Sequence, residues 1–349
     1  MNDEDLQDHR YRPAWWLPGA HLRTIWGKLS RRPFSVATRK ERWDTPDGDF
    51  LDLQRLDAPS GGPRLVVLHG LEGSPRSHYA RGLVSEASRR GWAADVIVFR
   101  SCGWEPNRAL RSYHSGETTD LDFVVRRLVA AEPDRPLVFA GVSLGGNVLL
   151  KWLGERGGEV PPQVAGAAAV SVPFDLARGA RHLDRGFSRV YQRHFLRTLR
   201  RKAHGKRERF PDRLRSEAID RARTLYDFDD AVTAPVHGFR DADDYYAQSS
   251  SIRFLARVRV PTLLLSAADD PFLPAAVLDE VREIARGNPA LHVEFVERGG
   301  HVGFISGAVP WRPFYYAEWR ATEFLARQLA ARFASPPSPS ALPFGPVIG

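Results

Sequence analysis

One glycine-rich segment constrains the fold of this chain more than any other feature. Its sequence is Gly141-Val142-Ser143-Leu144-Gly145-Gly146, and it lies between an apolar run typical of a strand and a stretch typical of a helix. A turn this tight forces strained backbone angles on Ser143 and leaves no room for large residues two positions before and after it. The hydroxyl then stands at a helix N-terminus, where backbone donors and the helix dipole can stabilise an oxyanion. A glycine-rich turn with an incidental serine is the alternative.

Short apolar runs alternate with helical patterns from residue 42 onward. Apolar runs with little polar alternation, separated by helices, indicate a mostly parallel central sheet with helices on both faces. The predicted core strands are 65–68, 94–99, 137–142, 164–172, 262–267 and 291–296, and the predicted helices are 77–90, 117–131, 145–155 and 311–333. Thr118 or Thr119 is expected to cap the second helix. The stretch 43–56, with a Pro-Asp-Gly turn at its centre, predicts an antiparallel hairpin at the sheet edge.

Three segments depart from this alternation. Residues 11–34 are rich in aromatic side chains and prolines, residues 173–250 contain no strong strand, and residues 335–349 are rich in Pro and Ser. We therefore predict an aromatic-rich segment packing on the core at 1–40, a core at 41–172 and 251–334, a basic helical lid at 173–250 and a disordered tail at 335–349.

The composition excludes several classes of protein. Of the 349 residues, 43% are hydrophobic and 26% are charged, which excludes a disordered, collagen-like or membrane-embedded chain. The N-terminal residues are acidic and polar, so no secretory signal is expected. The single cysteine, Cys102, cannot form an internal disulfide, and a cysteine-ligated zinc site is excluded. A reducing compartment, and hence a cytoplasmic location, is expected.

A serine nucleophile needs a base, and the base needs an orienting acid. In the α/β-hydrolases the three follow the chain order Ser, Asp, His. After the predicted strand 262–267 come Asp269 and Asp270, and after the strand 291–296 comes His301, preceded by two glycines. Both positions lie at the C-terminal ends of strands, where sites in parallel sheets collect. We therefore predict a triad of Ser143, His301 and Asp270.

Two choices in this site remain open at the level of sequence. Asp270 stands directly before Pro271 and is favoured as the acid, whereas Asp269 is expected to cap the loop. The oxyanion hole needs two backbone N–H donors, and these are predicted at Leu144, which follows the nucleophile, and at Leu71, after the strand 65–68. His69, two residues earlier, is expected to support that loop through a hydrogen bond rather than to take part in chemistry.

Longer motifs resemble one branch of the α/β-hydrolases. They are the segments 69–74, 99–108, 112–118, 141–147 and 269–272, together with His21-Leu22-Arg23-Thr24 near the start. The branch is the YheT-like one, whose eukaryotic relatives are the ABHD1/ABHD3-type and EMB8-like proteins. Two departures, Ser101 in place of the branch's usual glycine and Gly19-Ala20 in place of Asn-Pro, lie outside the predicted triad.

The resemblance implies an α/β-hydrolase fold and a serine hydrolase, specifically a carboxylesterase, that acts on a small-molecule or lipid ester. Such a triad works through an acyl-enzyme and needs no cofactor and no metal. A thioesterase, or a membrane-surface phospholipase or lipase with the same triad, is the alternative. A non-catalytic binding protein is the third hypothesis, and the intact order of Ser, Asp and His argues against it.

The polar residues of the segment 99–118 have two interpretations. They line the substrate pocket, or they form an ordered loop held by internal hydrogen bonds, and the second is favoured. Cys102, within this segment, is predicted to be a small buried residue rather than a nucleophile.

Positive charge is concentrated in residues 178–215, which hold 14 Lys and Arg against three Asp and Glu. Arginines recur every four residues and predict one stripe along an amphipathic helix: Arg181, Arg185, Arg189, Arg193, Arg197 and Arg201. A solvated face of the lid is the favoured interpretation, and peripheral contact with an anionic membrane is the alternative. No aromatic platform is interleaved with these charges, so no nucleic-acid partner is expected.

Overall fold

The structure is a computed structural model that describes residues 10–31, 36–58 and 61–334. The predicted tail at 335–349 lies outside these described residues, as do the first nine residues of the predicted N-terminal segment.

An eight-stranded sheet forms the centre of the molecule. Its strands are β1 (Arg39–Asp44), β2 (Phe50–Leu56), β3 (Arg64–Leu68), β4 (Ala93–Val98), β5 (Leu137–Val142), β6 (Val164–Val170), β7 (Thr262–Ala267) and β8 (Leu291–Val296). Their order across the sheet is β1-β2-β4-β3-β5-β6-β7-β8. The pairs from β4 to β8 are parallel, whereas the hairpin β1–β2 adds to β4 in antiparallel register. The predicted core strands are present within two residues of their predicted bounds.

Helices cover both faces of this sheet. They are α1 (Ala20–Ser30), α2 (His78–Arg89), α3 (Thr119–Ala131), α4 (Leu144–Arg156), α5 (Leu176–Leu183), α6 (Ser188–Arg209), α7 (Ser216–Arg221), α8 (Leu225–Phe228), α9 (Ala234–His237), α10 (Ala242–Ser249), α11 (Ala276–Arg286) and α12 (Tyr316–Ala334). Side chains of α3, α4 and α11 pack on one face, and side chains of α2 and α12 pack on the other. The predicted α/β-hydrolase architecture is thus confirmed.

Shorter elements complete the chain. The 3₁₀ turns are Gly157–Glu159, Ser251–Arg253 and Leu255–Arg257, the π-helical turn is Asp229–Thr233, and β9 (Ile305–Ser306) pairs with β10 (Phe314–Tyr315). The last helix therefore begins at residue 316 and not at the predicted 311. Residues 314–315 belong to this ribbon, and Pro313 before them is disfavoured in a helix interior.

The predicted threonine cap of α3 is wrong. Thr118 stands at the N-cap, but its hydroxyl donates to Glu155 at 2.7 Å instead of accepting from the helix. The Glu117 Oε1 atom accepts from the backbone N–H groups of Thr119 at 2.9 Å and Asp120 at 3.3 Å. A carboxylate at a helix N-terminus satisfies the orphan donors and also faces the positive end of the helix dipole.

The segment between β6 and β7 contains α5 to α10 and the π-helical turn. Its apolar side chains form a cluster of their own with Phe272 and Leu273 from the loop after β7. The prediction of one continuous basic helix is wrong, because α5 ends at Leu183 and α6 begins at Ser188. Gly186 lies in the break with a φ of +50°, a left-handed conformation that does not continue a helix.

The N-terminal segment packs against β9. Ala14 and Leu17 are buried with Ile305, and the Trp16 ring contacts Trp26 of α1. These contacts hold α1 against the loop that follows β8.

Candidate active site

Ser143 occupies the turn between β5 and α4. Its φ of +53° is strained for a residue with a side chain, as the sequence predicts. A Cβ atom on Gly141 would lie 2.6 Å from the Gly145 carbonyl oxygen, and one on Gly145 would lie 2.4 Å from the Leu68 carbonyl oxygen. Glycine is therefore required at both positions by the close approach of the backbone.

The structure brings Ser143, His301 and Asp270 together from three separate loops. The His301 Nε2 atom lies 3.1 Å from Ser143 Oγ, and its Nδ1 atom lies 2.8 Å from Asp270 Oδ2. Phe272 stacks on the imidazole with ring centroids 4.0 Å apart. The Asp270 carboxylate is fully buried, and its other oxygen accepts from the Phe272 N–H at 2.8 Å. Both imidazole nitrogens are thereby directed, one to a hydroxyl and one to a carboxylate.

Asp269, the other candidate acid, points away from the imidazole. Its Oδ1 atom accepts from the N–H groups of Gly299 at 2.7 Å and Gly300 at 2.8 Å. Its Oδ2 atom lies 3.2 Å from the Arg23 guanidinium. Asp269 therefore shapes the loop before His301, which is the loop-capping arrangement considered for it above.

The two N–H groups predicted for an oxyanion hole belong to residues next to the serine or next to a residue that contacts it. Leu144 directly follows Ser143, and Leu71 follows Gly70, where an added Cβ atom would lie 3.2 Å from the Ser143 Cβ atom. Helix α4 begins at Leu144, so that N–H is in the first turn, where no intrahelical acceptor exists. In the loop after β3 the N–H groups of Gly70, Glu72 and Gly73 donate to Tyr79, Tyr113 and Gly70, respectively. Leu71 lies between these satisfied donors, and its N–H has no acceptor in the described parts of the chain.

His69 is buried and Cys102 is half-buried, and neither side chain is suited to act as a catalytic group. The His69 Nδ1 atom contacts the Gly70 carbonyl oxygen at 2.8 Å, and Nε2 accepts from the Phe99 N–H at 3.2 Å. Complete burial lowers the pKa of His69 to about 4, so its ring is neutral near pH 7. Burial also raises the pKa of the Cys102 thiol to about 11, which disfavours the thiolate.

A cavity of about 810 Å³ lies beside Ser143 and His301. Its walls come from α1, from the loops after β3 and β4, and from the segment between β6 and β7. The apolar side chains that the last segment contributes include Leu176, Leu183, Tyr191, Phe195, Leu199, Leu214, Leu225, Phe228 and Val232. A large and mainly apolar cavity that contains a few convergent polar groups is typical of a small-molecule site.

The segment 99–118 combines both interpretations given above. Asn107 accepts from the Ser101 N–H at 2.7 Å within the segment and donates to Asp49, outside it, at 3.1 Å, so this part is an ordered loop held by hydrogen bonds. Ser112 and Tyr113, farther along, line the cavity. Ser101 has a φ of +67°, which explains why glycine is usual at this position in the branch that the chain resembles.

Sequence reasoning missed several residues that contact this site. Thr24 accepts from the His301 N–H, Arg23 pairs with Asp269, and Lys202 of α6 pairs with Glu72 beside Leu71. The sequence signal for the first two was the His21-Leu22-Arg23-Thr24 motif, but nothing in its spacing indicates a partner near residue 300.

Two further properties bear on what the chain can bind. Within the three described ranges, no group of three or more His, Cys, Asp and Glu side chains is arranged to hold a metal ion. Over those same residues, no helix has the length and apolar character needed to cross a membrane.

Similar proteins support a hydrolase. A family model described as the alpha/beta hydrolase fold matches residues 63–308. The protein named "Putative esterase YheT" from Escherichia coli (strain K12) is 41% identical over 325 residues, which cover 92% of this chain and 94% of the relative. "Phospholipase ABHD3" from Mus musculus is 29% identical over 320 residues, covering 87% and 77%. "Embryogenesis-associated protein EMB8" from Picea glauca is 28% identical over 325 residues, covering 86% and 70%.

A solved structure has the same fold. The Pyrococcus furiosus esterase Pf2001 aligns with a TM-score of 0.54 at 16% identity, covering 84% of this chain and 92% of that one. The family match and the 41% identity to the Escherichia coli relative identify the protein as a hydrolase. The chain belongs to the alpha/beta hydrolase fold family, within the YheT-like branch that also includes ABHD3 and EMB8.

Proposed function

We propose that the protein hydrolyses carboxylic esters through a Ser143–His301–Asp270 triad and an acyl-enzyme intermediate. The observation that carries the proposal is the continuous series of contacts from Ser143 Oγ through both nitrogens of His301 to the buried Asp270, at the floor of an apolar cavity. The relatives named "Putative esterase YheT" and "Phospholipase ABHD3" carry names of ester-cleaving enzymes, which supports the substrate class.

Acylation begins when Ser143 Oγ attacks the ester carbonyl carbon and its proton passes to His301 Nε2. The Asp270 carboxylate accepts a hydrogen bond from the Nδ1–H group of His301, which orients the ring and stabilises the imidazolium that forms. The carbonyl oxygen becomes an oxyanion, and the N–H groups of Leu71 and Leu144 donate to it. The carbon–oxygen bond to the alcohol then breaks as His301 gives its proton to the leaving oxygen.

Deacylation repeats these steps with water. His301 removes a proton from a water molecule, whose oxygen attacks the acyl carbon of the acyl-enzyme. Collapse of the second tetrahedral intermediate breaks the bond to Ser143 Oγ, returns the proton to the serine and releases the carboxylic acid.

The cavity favours an apolar acyl or alcohol group. Residues 173–250 act as a lid in this proposal, since Leu183, Phe228 and Val232 from that segment form part of the wall. Each methylene buried there contributes about 0.8 kcal/mol to binding. A thioester with an apolar acyl chain meets the same requirements, so a series of matched esters and thioesters from two to sixteen carbons distinguishes these substrate classes.

A fluorophosphonate probe tests the nucleophile directly. Wild-type protein is expected to be labelled on Ser143, and Ser143→Ala is expected to abolish both labelling and ester hydrolysis. His301→Ala is expected to lower kcat on the order of 10³-fold, because the serine loses its base. Labelling that survives Ser143→Ala would rule out the proposed nucleophile. Thr118→Ala serves as the control, because it removes a hydroxyl outside the cavity and is expected to leave labelling unchanged.

A membrane-surface esterase is the second candidate, and exposed side chains on α1 and at the start of α6 support it. Large apolar side chains on these elements are accessible: Leu22 (52% exposed), Leu29 (77%), Phe187 (54%) and Val190 (50%). His21 of α1 contacts the rings of Phe187 and Tyr191, so the two elements meet, and Leu29 and Val190 also line the cavity. Apolar side chains beside exposed arginines fit peripheral contact with an anionic membrane. The cytoplasmic location stays a prediction.

A further inference from the structure

Two adjacent residues of α1 contact the loop that carries His301. The Thr24 Oγ1 atom accepts from the His301 backbone N–H at 2.9 Å and donates its own proton to the Ala20 carbonyl oxygen at 2.8 Å. The Arg23 guanidinium lies 3.2 Å from Asp269 Oδ2, and Arg23 as a whole is only 5% exposed. Both contacts join residues more than 240 positions apart in the sequence.

These two residues and Asp269 together hold three consecutive N–H groups. Asp269 accepts from Gly299 and Gly300, and Thr24 accepts from His301. The backbone leading into the imidazole is therefore fixed at each residue. Arg23 acts one step farther away, because it orients the carboxylate that two of these N–H groups contact.

The loop needs this support because its backbone is strained. Gly300 has a φ of +66°, but Val302 and Phe304 also have positive values, +56° and +42°. A β-branched residue in this region is a genuine outlier, and such conformations persist only where the surrounding structure enforces them. The Ser171 hydroxyl accepts from the Val302 N–H at 3.0 Å on the far side of His301, and α1 supports the near side.

The loop and α1 also fit closely. A Cβ atom on Gly300 would lie 2.7 Å from the Ala20 carbonyl oxygen, and one on Gly303 would lie 2.7 Å from the Arg23 carbonyl oxygen. Helix α1 thus packs directly on the loop backbone. A shift of α1 would move the peptide that sets the direction of the His301 side chain.

We propose that Thr24 and Arg23 are positioning residues for the base His301, and that α1 is a structural part of the active site. This inference rests on the proposed function, since it assumes that His301 serves Ser143. Catalytic groups must be held within about 0.5 Å of their productive geometry. A displacement of about 1 Å can cost on the order of 10²-fold in rate.

Removal of the Thr24 hydroxyl tests the proposal. With 4-nitrophenyl acetate as substrate, Thr24→Val is expected to lower kcat about 10- to 100-fold and to change KM less than about threefold, because the base is displaced while binding is kept. Thr24→Ser retains the acceptor oxygen and is expected to stay within about threefold of wild type. Ser30→Ala is the matched control, since that hydroxyl also bonds to a carbonyl four residues back, that of Trp26, but does not contact the loop.

A second measurement separates positioning from general destabilisation. If Thr24 acts through His301, Thr24→Val should change the residual rate of a His301→Ala variant less than about twofold. Arg23→Met, a variant that leaves Thr24 in place, should lower kcat about 3- to 10-fold in the wild-type background and have no effect beside His301→Ala. Melting temperatures of all variants show that folded protein is compared.

Two outcomes would overturn the proposal. One is a Thr24→Val enzyme with unchanged kcat. The other is an equal loss with and without His301, which would indicate a merely structural role. Failure of the proposed function would give a different result, because His301→Ala alone would then retain wild-type activity.

Discussion

Lys202 of α6 donates to the Glu72 Oε1 atom at 2.6 Å, although the two residues lie 130 positions apart. Glu72 directly follows Leu71, and its φ of +55° is unusual for a residue other than glycine. The Tyr113 hydroxyl accepts from the Glu72 N–H at 2.8 Å and donates to the same carboxylate at 2.9 Å. The segment between β6 and β7 therefore contacts the loop whose Leu71 N–H is proposed to bind the oxyanion.

Loss of this ion pair is expected to slow the chemical step. Lys202→Met leaves the Glu72 carboxylate, only 9% exposed, without its cation, so the loop is expected to shift. Complete loss of one oxyanion donor costs about 10²- to 10³-fold in kcat, and a displaced donor should cost about tenfold. Steady-state kinetics on a short soluble ester measure this effect. Arg201→Met removes an exposed charge from the same helix and is expected to change little; equal rates for both variants would contradict the prediction.

The two neighbouring aspartates should differ strongly in their effect on activity. Asp270→Asn removes the carboxylate that orients His301, and we expect kcat to fall on the order of 10³- to 10⁴-fold. Asp269→Asn keeps an oxygen that can accept from Gly299 and Gly300, so a loss of about tenfold or less is expected. Comparison of the two variants under the same conditions decides the assignment, and the reverse ranking would make Asp269 the acid.

Stability should fall in mild acid because of buried histidines. Burial lowers the pKa of His69 and of His78 to about 4, whereas a histidine in the unfolded chain titrates near 6.5. The unfolded chain therefore binds more protons than the folded chain between about pH 6.5 and pH 4. This contribution is fully present above pH 6.5 and is lost as the pH falls through this range. Urea titrations at several pH values measure the expected decline in the free energy of unfolding.

A His69→Gln variant provides the control for this pH dependence. Glutamine can offer one donor and one acceptor in place of the imidazole but does not titrate. The free energy of unfolding should depend less steeply on pH between 4 and 6.5. The decrease in slope should correspond to at most one proton fewer taken up on unfolding. An unchanged slope would show that His69 does not contribute.

The core of the fold follows from local patterns in the sequence. The strand at 137–142 is predicted with its observed bounds, because a short apolar run between turn signals has few other solutions. The elbow at Ser143 follows from sterics, since only glycine at 141 and 145 permits the backbone contacts found there. The chain order Ser, Asp, His then identifies Asp270 and His301 as candidates, although the sequence does not give the distances between the side chains.

Other features depend on contacts that local patterns do not encode. The Thr24–His301 hydrogen bond joins residues 277 positions apart, and no periodicity links them. The sequence pattern does not show the helix break near Gly186, because the spacing of four between arginines continues across it. The cap of α3 was missed because Thr118 is bonded to Glu155, a tertiary partner that replaces the local one.

The arginines of α6 lead to a prediction about membranes. Arg189, Arg193 and Arg197 are exposed on the outer face of the helix, while Tyr191 and Phe195 line the cavity. If this face contacts lipid, the protein should bind vesicles with anionic headgroups, bind neutral vesicles weakly and dissociate as salt rises. Each arginine near such a surface contributes about 1 kcal/mol, and the attraction decays over about 10 Å at 0.1 M salt.

Replacement of Arg185, Arg189, Arg193 and Arg197 with Gln should therefore remove several kcal/mol of binding to anionic vesicles. Turnover of a small soluble ester should hardly change, because these side chains lie on the outer face of the segment. The matched control replaces Arg126, Arg221, Arg286 and Arg327, which are exposed on α3, α7, α11 and α12, and so changes the net charge equally. Phe187→Ser should weaken binding to both kinds of vesicle, since the exposed ring supplies apolar contact rather than charge. Two results would contradict this prediction: a wild-type protein without preference for anionic vesicles, or a control with the same loss as the α6 variant. Either would indicate that the arginine stripe is a solvated face of the lid.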